Sequence, residues 1–324
     1  MQGPHIDPHV HCRDWKESNK ATISSVMQIA ADNGVVAIFD MPNTNPPITS
    51  LASAEKRLLT AEKEGRAGGY YIYMGLTGDN LQAREAADAI DDNDRIVGIK
   101  MYAGRSVGSL SVSDPEAQAR SYAALAEAGY TGVVAVHCEK ESLFKPSLWN
   151  PADPQTWSLA RPPEAEIEAV REQIEFAEKS GFRGNLHICH ISTPDSVDLV
   201  KEARGRIKIT CGATPHHLSM NTDNLHIEGG IAYKVNPPIR NPQCLSGLND
   251  RLKKGMIDWI ETDHAPHTKE EKSYPGNGTF MSGIPSLEGY SGFLDRLSAN
   301  GLSDKAIADL TYNNIKKAFP MVKE

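Results

Sequence analysis

Two histidines stand two residues apart in HIDPHVH, His9 and His11, and in an extended strand both imidazoles point to the same side. Such a pair can hold one divalent ion, and imidazole with carboxylate is a donor set that suits zinc. A lone His-x-His is a weak signal, because a strand-end histidine is more often a hydrogen-bonded structural residue. Here the pair is joined by Lys100 in IVGIKMY, His137 in VVAVHCE, His190 in LHICHIS and Asp263 in IDWIETDHAPH. Each of these closes a separate apolar, β-like run, and together the six residues can build a two-metal hydrolytic centre. Lys100 cannot bind metal as an ammonium. It becomes a ligand only if CO2 converts it to a carbamate, whose two oxygens can bridge two ions. Asp263 admits two roles, as a ligand and as the acceptor of a proton from a metal-activated water.

Three further residues read as substrate contacts. Arg13 lies two after His11 and so projects toward the same mouth, Asn43 follows a strand in MPNTNPP, and His267 follows Asp263 by four. A guanidinium, an amide and an imidazole converging on one point suit a carboxylate. The plain alternative for Arg13 is a surface ion pair. His187 is three residues from His190, which puts it on the other face of the strand as a structural residue. Cys12, Cys138 and Cys189 each adjoin a candidate ligand, so alternation turns them away from the metals as small buried side chains.

These residues need a scaffold that gathers strand ends. Eight apolar, β-branched-rich runs are legible, at 5–11, 35–41, 70–76, 96–102, 132–138, 184–190, 206–212 and 256–262. Helical patterns lie between them. Residues 20–33 stop at Gly34, and 50–64 start at Ser50 and stop at Gly65. Residues 114–128 open with Asp-Pro and stop at Gly129, 163–180 stop at Gly181, and 194–204 open with Thr-Pro and stop at Gly205. Alternation of strand and helix implies parallel strands with helical crossovers. A closed (β/α)8 barrel of the TIM type is preferred over an open doubly wound sheet. Chemistry follows many of the strands, and only a barrel brings all carboxyl ends to one mouth. Two longer irregular stretches, about 139–162 and 264–285, are candidate lids or binding loops.

Length and composition agree with this. At 324 residues the chain suits one barrel, so 1–324 is expected to be a single catalytic domain. Apolar content of 40% and charged content of 23% are ordinary for a globular protein. A net charge of −8 argues against nucleic acid or an anionic membrane as partner, so an anionic substrate must be drawn by local cations. No apolar run approaches a membrane span and no signal peptide is visible. Five cysteines give no disulfide framework, and a reducing cytoplasm is the expected location.

The motifs resemble dihydroorotases of the amidohydrolase superfamily. DPHVHCRD, DMPNTNPP, GIKMYAG, VHCE, ARPPEAE, HICHIST, TPHHL, KVNPPIR, TDHAPHT and GIPSLEG occur in family order over most of the chain. The resemblance implies a distorted (β/α)8 barrel with two zinc ions bridged by carboxylated Lys100. His9, His11, Lys100, His137, His190 and Asp263 match the family's metal ligands. Arg13, Asn43 and His267 match its residues for the dihydroorotate carboxylate, and Asn236 matches a position that contacts the ring. The activity implied is the reversible cyclisation of N-carbamoyl-L-aspartate in pyrimidine biosynthesis. A homodimer and an association with aspartate carbamoyltransferase are further expectations of the resemblance. The sequence departs from the family in three ways. An accessory β-sandwich is expected to be absent, Gly212 stands where a glutamate is common, and HVHCRDW lacks the usual Pro-Gly. The rivals are an allantoinase- or hydantoinase-type cyclic amide hydrolase, and a non-catalytic homologue acting as a partner protein. Arg13 with Asn43 speaks against the first and the full ligand set against the second.

Overall fold

A computed structural model describes residues 3–106, 109–273 and 280–323. Eight strands follow one another around a parallel sheet: β1 His5–Val10, β2 Val35–Asp40, β3 Tyr70–Gly75, β4 Ile96–Ala103, β5 Val133–Cys138, β6 Asn185–Ile188, β7 Ile209–Ala213 and β8 Trp259–Ile260. Each pairs in parallel with the next. The ring closes just beyond β8, where Val10 bridges His264 and the His11 N–H donates to the His264 carbonyl at 2.8 Å. The expected eight-strand barrel is therefore present. Its last strand is shorter than the apolar run that announced it, two residues against an expected 256–262.

The crossover helices begin where local chemistry places them. Thr22, Ser50, Asp114 and Thr193 each accept a backbone N–H of the first turn, and Pro115 and Pro194 occupy the first helical position. The helix Pro163–Ser180 stops at Gly181, whose φ of 69° lies in the left-handed region that glycine enters without penalty. The helices Asn80–Asp92, Pro242–Lys253 and Tyr290–Ala299 are additions to the sequence reading.

Strand alternation divides the core in two. In β3, Tyr70, Ile72 and Met74 pack outward against helices, while Tyr71 and Tyr73 join the barrel interior with Ile6, Phe39, Val97, Val133 and Trp259. The lower end of that interior is filled from the carboxyl terminus of the chain. After the helical run Asp304–Ala318, Phe319 inserts its ring 4.9 Å from Phe39, 6.2 Å from Tyr73 and 6.1 Å from Trp259. Side chains thus close the amino ends of the strands, and the opposite mouth is left to the chemistry. Among the described residues no helix is long and apolar enough to cross a membrane.

Candidate active site

The carboxyl ends of β1, β4, β5, β6 and β8 bring the six candidate ligands together. His9 lies in β1 and His11 one residue past it; their Nε2 atoms sit 3.3 and 3.0 Å from the same oxygen, Oδ1 of Asp263. His137 in β5 and His190 beyond β6 face each other, Nδ1 to Nε2 at 3.3 Å. The two groups meet where the rings of His9 and His190 lie 5.2 Å apart. Lys100 in β4 is completely buried, with Nζ 3.1 Å from Cys189 Sγ and 5.1 Å from the Tyr102 ring centre.

The proton inventory shows why a cation fits here. His11 Nδ1 is 2.8 Å from Asn43 Oδ1, and only a donated N–H makes that a hydrogen bond. In a neutral ring this leaves Nε2 as a lone pair facing a carboxylate oxygen at 3.0 Å, two acceptors that need a cation between them. His9, His11 and Asp263 each offer a ligand atom within 4.8 Å of the others. On the other side, His190 Nδ1 is buried without a hydrogen-bond partner. Burial lowers His9 to about 4, with Lys100 adding to the effect against Asp263 and Glu261. Burial also lowers His137 and His190, the latter far below the usual value with His137 and Lys100 contributing. Those three imidazoles are thus held neutral, which is the form that binds metal. Burial works against ionisation of Asp263, but His9 and His11 beside it outweigh this and hold the carboxyl below its usual range.

Beside this centre a small cleft is lined by His11, Arg13, Asn43, Asn236, Asp263 and Ser282, among others. Arg13, at φ 57°, donates through Nε to the Pro266 carbonyl at 3.0 Å and through a terminal nitrogen to His267 Nε2 at 3.0 Å. His267 was expected to meet the substrate directly. Its side chain is fully buried and reaches the cleft through Arg13, with Nδ1 3.1 Å from Glu271 Oε2. Burial, with Arg13 next, lowers His267 to about 3, so it stays neutral and can accept from the guanidinium. Asn236 Oδ1 accepts from Trp157 Nε1 at 3.1 Å and from Ser282 Oγ at 3.2 Å.

Two expectations from strand alternation are corrected. Cys189 was read as turned away from the metals, yet its thiol contacts Lys100 inside the barrel. His187 was placed on the face opposite His190, yet it also lies inside, stacked on Trp259 at 4.1 Å and 3.1 Å from Glu261 Oε2. The reason is the same for both. Strand β6 ends at Ile188, and His190 takes φ 37°, so the period of two fails between Cys189 and His190 and all three side chains turn inward. Cys138 packs outward in the helix-facing core, and Cys12 is buried there too, its N–H donated to Asp40 at 2.9 Å.

The structure adds partners that no role was assigned to from sequence. Glu139, two residues after His137, is completely buried and lies 3.2 Å from His137 Nε2. Arg161 of the ARPPEAE segment donates to it through Nε at 3.0 Å. Burial would raise Glu139, but Arg161 more than offsets this and holds it at about 2. Asp40 takes the Arg57 guanidinium at 2.6 Å and the Tyr70 hydroxyl at 2.6 Å, tying the end of β2 to the loop that carries Arg13. Three acids lie two residues from a candidate ligand: Asp7, Glu139 and Glu261.

No family model matches the chain. Over 320 residues it is 31% identical to a dihydroorotase of Halobacterium salinarum, an alignment covering 98% of this chain and 72% of that protein. It is 32% identical over 287 residues to a dihydroorotase of Thermococcus kodakarensis, covering 87% of this chain and 59% of the relative. It thus spans less than two thirds of the length of that second relative. Among solved structures, the L-hydantoinase (dihydropyrimidinase) from Arthrobacter aurescens superimposes with a TM-score of 0.84 at 25% identity, over 98% of this chain and 71% of the other. A dihydropyrimidinase from Brevibacillus agri gives 0.82 at 21% identity, over 99% and 71%, which speaks to the fold alone.

Proposed function

The chain belongs to the dihydroorotase family, and on that premise we propose that it interconverts N-carbamoyl-L-aspartate and L-dihydroorotate, with release or uptake of one water. The observation that carries this reading is the buried guanidinium of Arg13 on the same cleft wall as Asp263 and His11. A hydantoin or allantoin ring carries no carboxylate to match it, and so the cyclic-amide rivals leave this cation without a purpose.

His9, His11 and Asp263 would hold one divalent ion and His137 and His190 a second, with carboxylated Lys100 shared between them. Zinc suits the nitrogen and oxygen donors. Bound metal would supply a water acidic enough to react near neutral pH and would polarise the amide carbonyl. The residues of the chain do the rest. Arg13 takes the substrate carboxylate, with His267 holding the guanidinium in place. Asn43 keeps His11 in the tautomer that presents Nε2, and Asn236 faces the ring. Asp263, ionised at neutral pH, takes the proton of the attacking water and delivers it to the departing amide nitrogen. In ring closure the protonated Asp263 returns it to the leaving water. Ring closure is therefore favoured at low pH and hydrolysis at high pH. A homodimer and an association with aspartate carbamoyltransferase belong to the same proposal, and size-exclusion chromatography with and without that enzyme tests both.

The direct test compares hydrolysis of dihydroorotate, hydantoin and allantoin by the zinc-loaded protein. A charge-assisted hydrogen bond of roughly 1.5–3 kcal/mol should favour dihydroorotate in kcat/KM at least about tenfold. A preference for either uncharged ring refutes the assignment.

A further inference from the structure

Glu261 takes no part in the chemistry above, yet it touches more of the centre than any other acid beside Asp263. It is 1% exposed and lies two residues before Asp263, so it projects inward from the same segment. One carboxylate oxygen accepts the backbone N–H of His190. The other accepts His187 Nε2–H at 3.1 Å and Trp259 Nε1–H at 3.3 Å, and stands 3.8 Å from His9 Nδ1. The tautomer of His187 is set from behind. Asn185 Nδ2 donates to Thr210 Oγ1 at 3.0 Å, which leaves the Thr210 hydroxyl to donate to His187 Nδ1 at 3.1 Å and the Nε2–H to Glu261.

Both metal-side histidines depend on this carboxylate for something they cannot do alone. His190 sits at φ 37°, a region a residue of its kind seldom enters, and the bond to its N–H holds the turn that brings its ring back inside. His9 Nδ1 is buried and has no hydrogen-bond partner as it stands. A small approach to Glu261, to about 3 Å, would make one. A proton placed on Nδ1 leaves Nε2 as the lone pair on the Asp263 side, which is how a carboxylate behind a ligating imidazole fixes its orientation.

Gly212 explains how the carboxylate fits. A Cβ at that position would lie 2.6 Å from the Glu261 carboxyl carbon and 2.8–2.9 Å from its oxygens. The φ of Gly212 is not in the left-handed region, so space and not backbone conformation keeps a side chain out.

We propose that Glu261 is the positioning residue of the metal centre, setting the His9 tautomer and the His190 turn at once, and that Gly212 leaves the room it needs. The inference rests on His9 and His190 being metal ligands. The competing account is that Glu261 only satisfies His187 and Trp259 in the barrel interior.

The experiment follows metal and not turnover. Wild type, Glu261→Gln, Glu261→Ala and the double variant Glu261→Ala/Gly212→Glu are loaded with Zn2+. Zinc content is measured, then the rate of zinc release to a chromogenic chelator, the visible spectrum of the Co2+-loaded forms, and the Tm of the metal-free forms. Glu261→Gln keeps the shape of the side chain. It should release zinc about 10–100-fold faster and alter the cobalt spectrum, with a metal-free Tm near that of wild type. The double variant returns a carboxylate to the same space from β7, and should recover part of the zinc retention lost in Glu261→Ala. Wild-type release rate and spectrum in Glu261→Gln would overturn the proposal. So would a folded double variant that loses zinc as fast as Glu261→Ala. A wild-type protein that binds no zinc fails earlier and overturns the ligand assignment underneath.

Discussion

Replacing Arg13 by methionine removes the guanidinium and keeps a side chain of similar reach. Arg13 is only 3% exposed, so its charge is not screened by bulk water. Two of its nitrogens are engaged by the Pro266 carbonyl and His267 Nε2, and the residue also lines the cleft. A hydrogen bond to a charged partner contributes roughly 1.5–3 kcal/mol, so kcat/KM for dihydroorotate should fall about 10- to 150-fold. The same change removes the donor to the buried Pro266 carbonyl and to His267 Nε2, which also lies 3.0 Å from the Ser282 carbonyl, and costs about 1–3 kcal/mol of stability. The assay must separate these losses. Steady-state rates are therefore measured on dihydroorotate and on dihydrouracil, which lacks the carboxylate, beside the Tm of each protein. The expected pattern is a large loss on the acid, a small one on the neutral ring, and a modestly lower Tm. Arg13→Lys should fall between, because it keeps the charge and loses the planar fork. Equal losses on both rings would show that Arg13 shapes the cleft and does not read the carboxylate.

Lys100→Ala should bind one metal fewer and lose most activity, with partial recovery in a short carboxylic acid; elemental analysis showing an unchanged metal count refutes the bridging role. Asp263→Asn can still offer an oxygen to metal but cannot take a proton, so both directions should slow by about 10²–10⁴ with metal content kept; near-normal rates in either direction would remove Asp263 as the proton carrier. Burial lowers His217 to about 4 and His264 and His267 to about 3, below the 6.5 of an unfolded chain. The unfolded state therefore binds more protons as pH falls below 6.5, and the metal-free protein should lose several degrees of Tm by pH 4.5. Asp7, raised by burial to about 7 from 3.8, acts in the opposite sense throughout that range, so a Tm that rises on acidification would mean the single acid outweighs the three imidazoles. Phe319→Ala empties the lower end of the barrel and should cost about 3–5 kcal/mol; an unchanged Tm would show that the terminal segment does not close the core.

That the six candidate ligands would gather at one place was legible because the signal is local. Each candidate ligand closes an apolar run, and in a barrel of parallel strands all those ends must meet at one mouth. Helix starts at Ser50, Asp114 and Thr193 were equally legible, since a cap is written within four residues. What failed was the extension of a local rule past its limit. The period of two placed His187 and Cys189 away from the metals, but it holds only while the backbone stays extended, and the left-handed turn at His190 ends it. The contacts that orient the candidate ligands are of another kind. Arg161 meets Glu139 across 22 residues, His187 meets Glu261 across 74, and His11 meets Asp263 across 252. No periodicity in the chain marks such pairs, because each side chain finds its partner only after the strands have closed. Gly212 reads as a bare departure in the sequence, and only packing shows that its missing side chain is the space taken by the Glu261 carboxylate.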